Sequence, residues 1–176
     1  DNAAGCAGLV AIAEGVAASR ARFLRTIRLI AFSCEERGRL GSKDYAKTVD
    51  PKNIVAVVNL DAIAPLPSAR SAVVYSYRYS KEEIPGWLPK LLDSVARRYR
   101  DSTGIGSVSY WEGGGYVFDS RAFEVRGIPA TTILGIGDPP ANTLRDTIDQ
   151  VDPAYGRDAA RFAAAAALTI AGPISK

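Results

Sequence analysis

Apolar residues recur at three- and four-residue steps from Ala3 to about Arg22, with Leu9, Val10, Ile12, Ala13 and Val16 on the repeat. That spacing predicts a helix. Thr26 to Ser33 is a short β-rich run and reads as a buried strand. Leu40 to Thr48 reads as a short helix. Asn53 to Asp61, "NIVAVVNLD", holds six apolar residues without alternation, the pattern of a strand covered on both faces. Ser71 to Tyr77 is predicted as a third strand and Ile128 to Ile136 as a fourth. Pro85 to Arg100 reads as an amphipathic helix with Trp87, Leu91, Leu92, Val95 and Tyr99 on one side. A closing helix is expected from Pro153 to Ala171, with proline at its start and Gly172-Pro173 beyond its end.

Strands alternating with helices imply an α/β fold, a three-layer sandwich with a mostly parallel central sheet between helices. The Pro- and Gly-rich stretches are short, so residues 1–176 are expected to form one domain. Composition narrows the function. Apolar residues make up 47% and charged residues 23%, and the net charge is only +3, with basic residues scattered. Nucleic acid is therefore not an expected partner, and "ARRYR" (Ala96 to Arg100) reads as a solvated helix face. No apolar run approaches the length of a membrane span. Two cysteines, Cys6 and Cys34, make no disulfide framework. The chain contains no His, which removes Ser-His-Asp and Cys-His catalysis from this polypeptide. It also has no Met and opens on "DNAAG", as expected of a processed product or a fragment.

The carboxylates then become the chemistry to explain. Glu35 and Glu36 follow one expected strand, Asp61 ends the next, and Asp1 opens the first helix. Asp138 and "NTLRDTID" follow the fourth strand. In open α/β sheets, ligands gather at the carboxyl ends of strands. Acids converging there repel one another, and a metal pair would offset them. Taken singly, each acid is read more readily as a helix cap or a solvated side chain.

Five stretches, in order, resemble the co-catalytic zinc aminopeptidases, whose wider relatives include glutamate carboxypeptidase II, the glutaminyl cyclases and the transferrin receptor ectodomain. They are "DNAAGCAGLVAIAE", "RTIRLIAFSCEERGRLGSKDYA", "VVNLDAIA", "DSRAFEVRGIPATTI" and "NTLRDTIDQVD". The resemblance implies a peptide substrate and two zinc ions. It would make Asp1 the bridging carboxylate, Glu36 a ligand of one zinc, Asp61 a ligand of the other, and Glu35 the general base that takes a proton from water. It places Asp119, Arg121 and Tyr116 near the substrate. Trp111, Tyr116 and Phe118 would line a specificity pocket or cover the sheet edge. Asp146 and Asp149 are expected to shape the closing loop by accepting backbone N–H bonds. Most relatives act outside the cytoplasm, which favours an extracellular or periplasmic location.

The chain departs from the family pattern at its imidazole ligands. One belongs to an upstream strand, which a missing N-terminal segment or a second chain would have to supply. The other stands where this sequence has Asn142, whose amide oxygen suits hard cations better than zinc. Cys34 is read as a packed side chain, with ligation as the alternative. The departure keeps a non-catalytic domain that binds a protein or ligand open beside the hydrolase and a glutaminyl-cyclase-like transferase.

Overall fold

The computed structural model describes residues 2–66, 72–76, 86–112, 117–135 and 142–174. Helix α1 spans Ala3–Ser19. Asn2 caps it, its Oδ1 accepting from Gly5 N at 3.2 Å while its Nδ2 donates to Leu60 O at 2.8 Å. One side chain thus closes the helix start and ties it to the neighbouring strand. Gly5 permits this approach, because a Cβ there would lie 2.3 Å from Asn2 Oδ1 and 2.8 Å from Leu60 O. Asn2→Ala is expected to destabilise the chain by about 1–2 kcal/mol, the usual loss of a cap with a second hydrogen bond. Urea unfolding checks this through a lower midpoint at unchanged slope.

Helix α2 spans Leu40–Thr48, strand β1 Val57–Asp61 and strand β2 Ala72–Ser76. Helices α3 (Trp87–Arg98) and α4 (Arg100–Thr103) follow, then β3 (Val108–Glu112) and α5 (Arg121–Glu124). Strand β4 (Ala130–Leu134) and α6 (Pro153–Ala171) complete the order. The sheet runs β1-β4-β2-β3. β1 pairs with β4 and β2 with β3 in parallel, while β2 and β4 are antiparallel.

Strand parity assigns the layers. On β4, Ile133 packs into a cluster with Ile12, Leu92 and Phe162, while Ala130 packs with Ala46 and Phe123. On β1, Leu60 and Val58 join the first cluster and Val57 the second. Successive side chains point to opposite faces, so α1, α3 and α6 cover one face and α2 and α5 the other. This is the α/β three-layer sandwich expected from the sequence.

Several local expectations change. Residues 26–33 form no ladder among the described residues. Their apolar run is strand-like, but a strand needs a partner edge, and their attachments lie elsewhere. Leu24 N and Arg25 N donate to Gly172 O and Ala171 O at the end of α6. Phe32 packs against Tyr45 and Phe123, with ring centroids 5.7 and 6.0 Å apart. The expected helix 85–100 divides, α3 giving way to α4, which ends on Gly104 at φ 72. Its buried stripe is Leu88, Leu92, Val95 and Ala96, whereas Trp87 and Tyr99 are exposed. Ala96, within the run expected to be solvated, is fully buried. Strand β3 and helix α5 are additions, and β1 begins only at Val57, after a short turn at Pro51–Asn53. Both cysteines are free and exposed, which overturns the packed reading of Cys34. No helix among the described residues is long and apolar enough to cross a membrane.

Candidate functional site

The acids are delivered by three different backbone devices. Asp61 is the last residue of β1 and is nearly buried, at 9% exposure. Glu35 and Glu36 sit on a tight turn between residues 33 and 41. Gly38 N and Arg39 N both donate to Glu35 O (2.9 and 2.7 Å), and Gly41 N donates to Ser33 O (3.1 Å). Cys34 and Arg39 hold positive φ of 58 and 61 in this turn. Gly41 is required by close approach, since a Cβ there would stand 2.7 Å from Ser33 O. Asp119 lies in the turn before α5 and is buried. A buried polar chain sets its height against the sheet. Asn59 Nδ2 donates to Thr132 Oγ1 (3.3 Å), which donates to Ser120 Oγ (2.9 Å), joining β1, β4 and the start of α5.

The electrostatics show that these acids share one neighbourhood. Burial, followed by Glu35, Asp119 and Glu36, pushes Asp61 from 3.8 up to about 7, against a lowering hydrogen bond from the Ala62 backbone. Glu35 is raised by burial, then by Glu36 and Asp119, and lowered by Arg39. Burial also raises Asp119, while a Ser42 hydrogen bond and Arg39 oppose it. Asp119 Oδ1 is buried with no hydrogen-bond partner. Asp61 and Glu35, raised by burial and then by neighbouring carboxylates, together with Asp119 and its orphaned oxygen, form a site that gains by taking up positive charge or protons. The cationic side chain placed here is Arg39, whose Nη1 donates to Val117 O at 3.2 Å while its Nε stays buried and unpaired.

The family model described as "Peptidase family M28" matches residues 1–167. The chain belongs to peptidase family M28. A search of the curated proteins found no match. Among solved structures, the chain is similar to an aminopeptidase from Aneurinibacillus sp. strain AM-1, with a TM-score of 0.82 at 23% identity, covering 99% of this chain and 40% of that one. It is also similar to BSAP, a zinc aminopeptidase from Bacillus subtilis (TM-score 0.77, 22% identity, 100% and 43%). A glutaminyl cyclase from Macrostomum lignano follows at TM-score 0.65 and 17% identity, covering 92% and 58%. These likenesses establish the fold. This M28 chain spans about two fifths of the length of the two aminopeptidases.

The M28 chain brings together Glu35, Glu36, Asp61 and Asp119 of the residues singled out in the sequence. Asp119, expected near the substrate, stands among the other acids, and the Ser120–Thr132–Asn59 chain ties its turn to β4 and β1. Arg121 opens α5, two residues on. Asn142 is exposed in a left-handed turn (φ 60). Asp149 accepts from the side chains of Thr147 (2.6 Å) and Gln150 (2.8 Å) and also from its own backbone N–H. Asp1, Tyr116 and Asp138 lie outside the described residues, as do the side chains of Trp111 and its neighbours. Arg39 and Ser42 were missed by the sequence reading. Their one signal was spacing, four and seven residues after Glu35, on the turn and helix that the Glu pair opens.

The donor chemistry fits a divalent cation in charge and in hard oxygen type. Among the described residues, no group of three or more His, Cys, Asp or Glu side chains is arranged to hold a metal ion by itself.

Proposed function

We propose that this M28 domain takes part in metal-dependent hydrolysis of peptides from their amino terminus. The raising of Asp61, at the carboxyl end of β1, by burial and then by the charges of Glu35, Asp119 and Glu36 is the observation that supports this reading. Glu36 and Asp61, with Asp1, would hold the metal. Bound zinc supplies Lewis acidity toward the scissile carbonyl and lowers the pKa of water. The chain's own groups do the rest. Glu35, raised above the usual carboxylate range, accepts the proton of the attacking water and later returns it to the departing amine. Arg39 holds the 117–119 turn against the Glu35 turn and moderates the negative charge. The acidic surroundings also suit the ammonium group of a free amino terminus.

Asn142, standing where the family pattern has an imidazole, favours a second reading, a non-catalytic peptidase-like domain that binds a protein or ligand. Elemental analysis of the purified chain after zinc loading, with an aminoacyl-anilide assay, separates the two. The enzyme reading expects close to two zinc ions per chain and measurable turnover, while the binding reading expects neither. Asn142→His is expected to raise zinc affinity in an equilibrium titration. Unchanged affinity would place Asn142 away from the metal.

A further inference from the structure

Residues 22–25 and 171–174 form a short ribbon beyond the ends of α1 and α6. Phe23 and Pro173 make an antiparallel bridge. Leu24 N donates to Gly172 O (2.9 Å), Arg25 N to Ala171 O (3.0 Å) and Ile174 N to Arg22 O (2.9 Å). Residues directly opposite share a face, and neighbours along the chain alternate. Arg22, Leu24 and Ile174 therefore stand on one face and Phe23 on the other. The exposures agree. Phe23 is half-buried, Arg22 is exposed, and Leu24 and Ile174 are exposed at 72% and 44%. Leu24 lies over Gly172, where an added Cβ would stand 3.2 Å from Leu24 Cδ1. Arg20 and Arg25 flank this face, both exposed. The fold uses Arg25, whose Nη1 donates to Ile170 O at 2.9 Å and closes the end of α6. The side chains of Arg22, Leu24 and Ile174 project away from the core. Charge here has one sign along both segments. Residues 15–34 contain Arg20, Arg22, Arg25 and Arg28 and no acid, and residues 159–174 contain Arg161 and no acid. Glu14, the acid next before this run, lies almost two turns back on α1.

We propose that this ribbon docks the domain on an anionic membrane surface. Guanidinium groups are drawn to lipid phosphates over about a Debye length. Leu24 and Ile174 enter the boundary between headgroups and acyl chains, while Arg20 and Arg22 stay at headgroup level. A soluble polyanion would use the arginines but has nothing to cover two bare apolar tips, so the combination selects a bilayer over nucleic acid. The fold also orients the docked domain. α1 starts beside Leu60 O at the carboxyl end of β1, and its 17 residues run about 25 Å from there. The ribbon thus lies at the far end of the sandwich from Glu35, Asp61 and Asp119, and docking leaves those acids facing solvent. With so few side chains engaged, attachment is weak and reversible. The proposal stands on the ribbon alone and is independent of any activity.

Flotation with two kinds of vesicle tests it: phosphatidylcholine alone, and phosphatidylcholine with about 30% phosphatidylglycerol, in about 0.1 M salt. The chain is expected to bind the anionic vesicles more strongly by about tenfold or more. Each basic residue near such a surface contributes about fivefold, so Arg20→Gln with Arg22→Gln should weaken binding about 25-fold. Leu24→Ser should weaken it about tenfold through the apolar surface lost. Insertion has its own readout. In a Cys6→Ser, Cys34→Ser background, an environment-sensitive dye on Leu24→Cys should brighten and shift to the blue on anionic vesicles. The same dye on Asp44→Cys, in α2, should stay unchanged. Unchanged urea midpoints identify variants that fold as the parent does. Equal binding to both vesicles, or to neither, would overturn the proposal. So would a silent dye at Leu24, or binding that Leu24→Ser leaves intact, the mark of a charge-only site for a soluble polyanion. Shielding of the Leu24 dye that grows with protein concentration in the absence of vesicles would make a second copy the occupant. If the double arginine variant does not fold, salt replaces it: about 0.5 M should release the parent chain, and retention there rejects the role of the arginines.

Discussion

Kept free of divalent cations, the chain is expected to lose stability as the pH rises from about 4 to 7, by on the order of 4 kcal/mol from Asp61 alone. The sign follows from proton binding. Asp61 titrates near 3.8 when unfolded and near 7 when folded, so between those values the native state holds more protons than the unfolded state. Stability then falls with increasing pH and levels off above the folded pKa. Glu35 and Asp119 are shifted in the same direction and steepen the fall. Asp61→Asn removes the largest contribution and should leave the variant the more stable protein at pH 8. Urea unfolding with chelator across this range measures the slope. A flat profile would mean that the four acids do not share one neighbourhood. Zinc added at pH 7.5 should recover stability in the parent chain and much less of it in Asp61→Asn.

Glu35→Gln is expected to lower turnover by about 10²- to 10⁴-fold, the usual contribution of a positioned general base. On the barrier this is about 3–5 kcal/mol. Zinc content and KM should change little, because glutamine keeps the size and polarity of the side chain while losing the proton acceptor. Turnover within a few-fold of the parent would remove Glu35 from the base role. A second readout does not depend on activity. Glu35 is the largest charge contribution raising Asp61. Its neutralisation should therefore move the pH-dependent loss of stability to lower pH in the metal-free chain. If turnover fell without that displacement, the substitution would be acting through the fold.

The limits of sequence reading are clearest at residues 26–33. Their composition is that of a strand, but pairing is a property of two edges, and the edge facing β1 is separated from it by a cleft. β3 was hidden for a related reason. Its five residues lie between glycine-rich stretches of sequence, and parallel pairing to β2, remote in sequence, gives them strand geometry. In α3 the error was one of phase. Side chains lean toward the helix start, and packing against α6 took Leu88 and Ala96 inside while leaving Trp87 and Tyr99 at the surface.

The sequence by itself determined the alternation of strands and helices, the closing helix with its proline and glycine boundaries, the family, and the acids Glu35, Glu36 and Asp61. Those features are local: spacing along a helix, a cap, an unbroken apolar run, or a carboxylate beside one. Tertiary structure alone decided that Asp119 joins those acids, that Arg39 moderates them, and that the sheet is open beside β1. Each depends on residues distant in sequence meeting across the sheet. Burial and charge coupling arise only once those neighbours are in place.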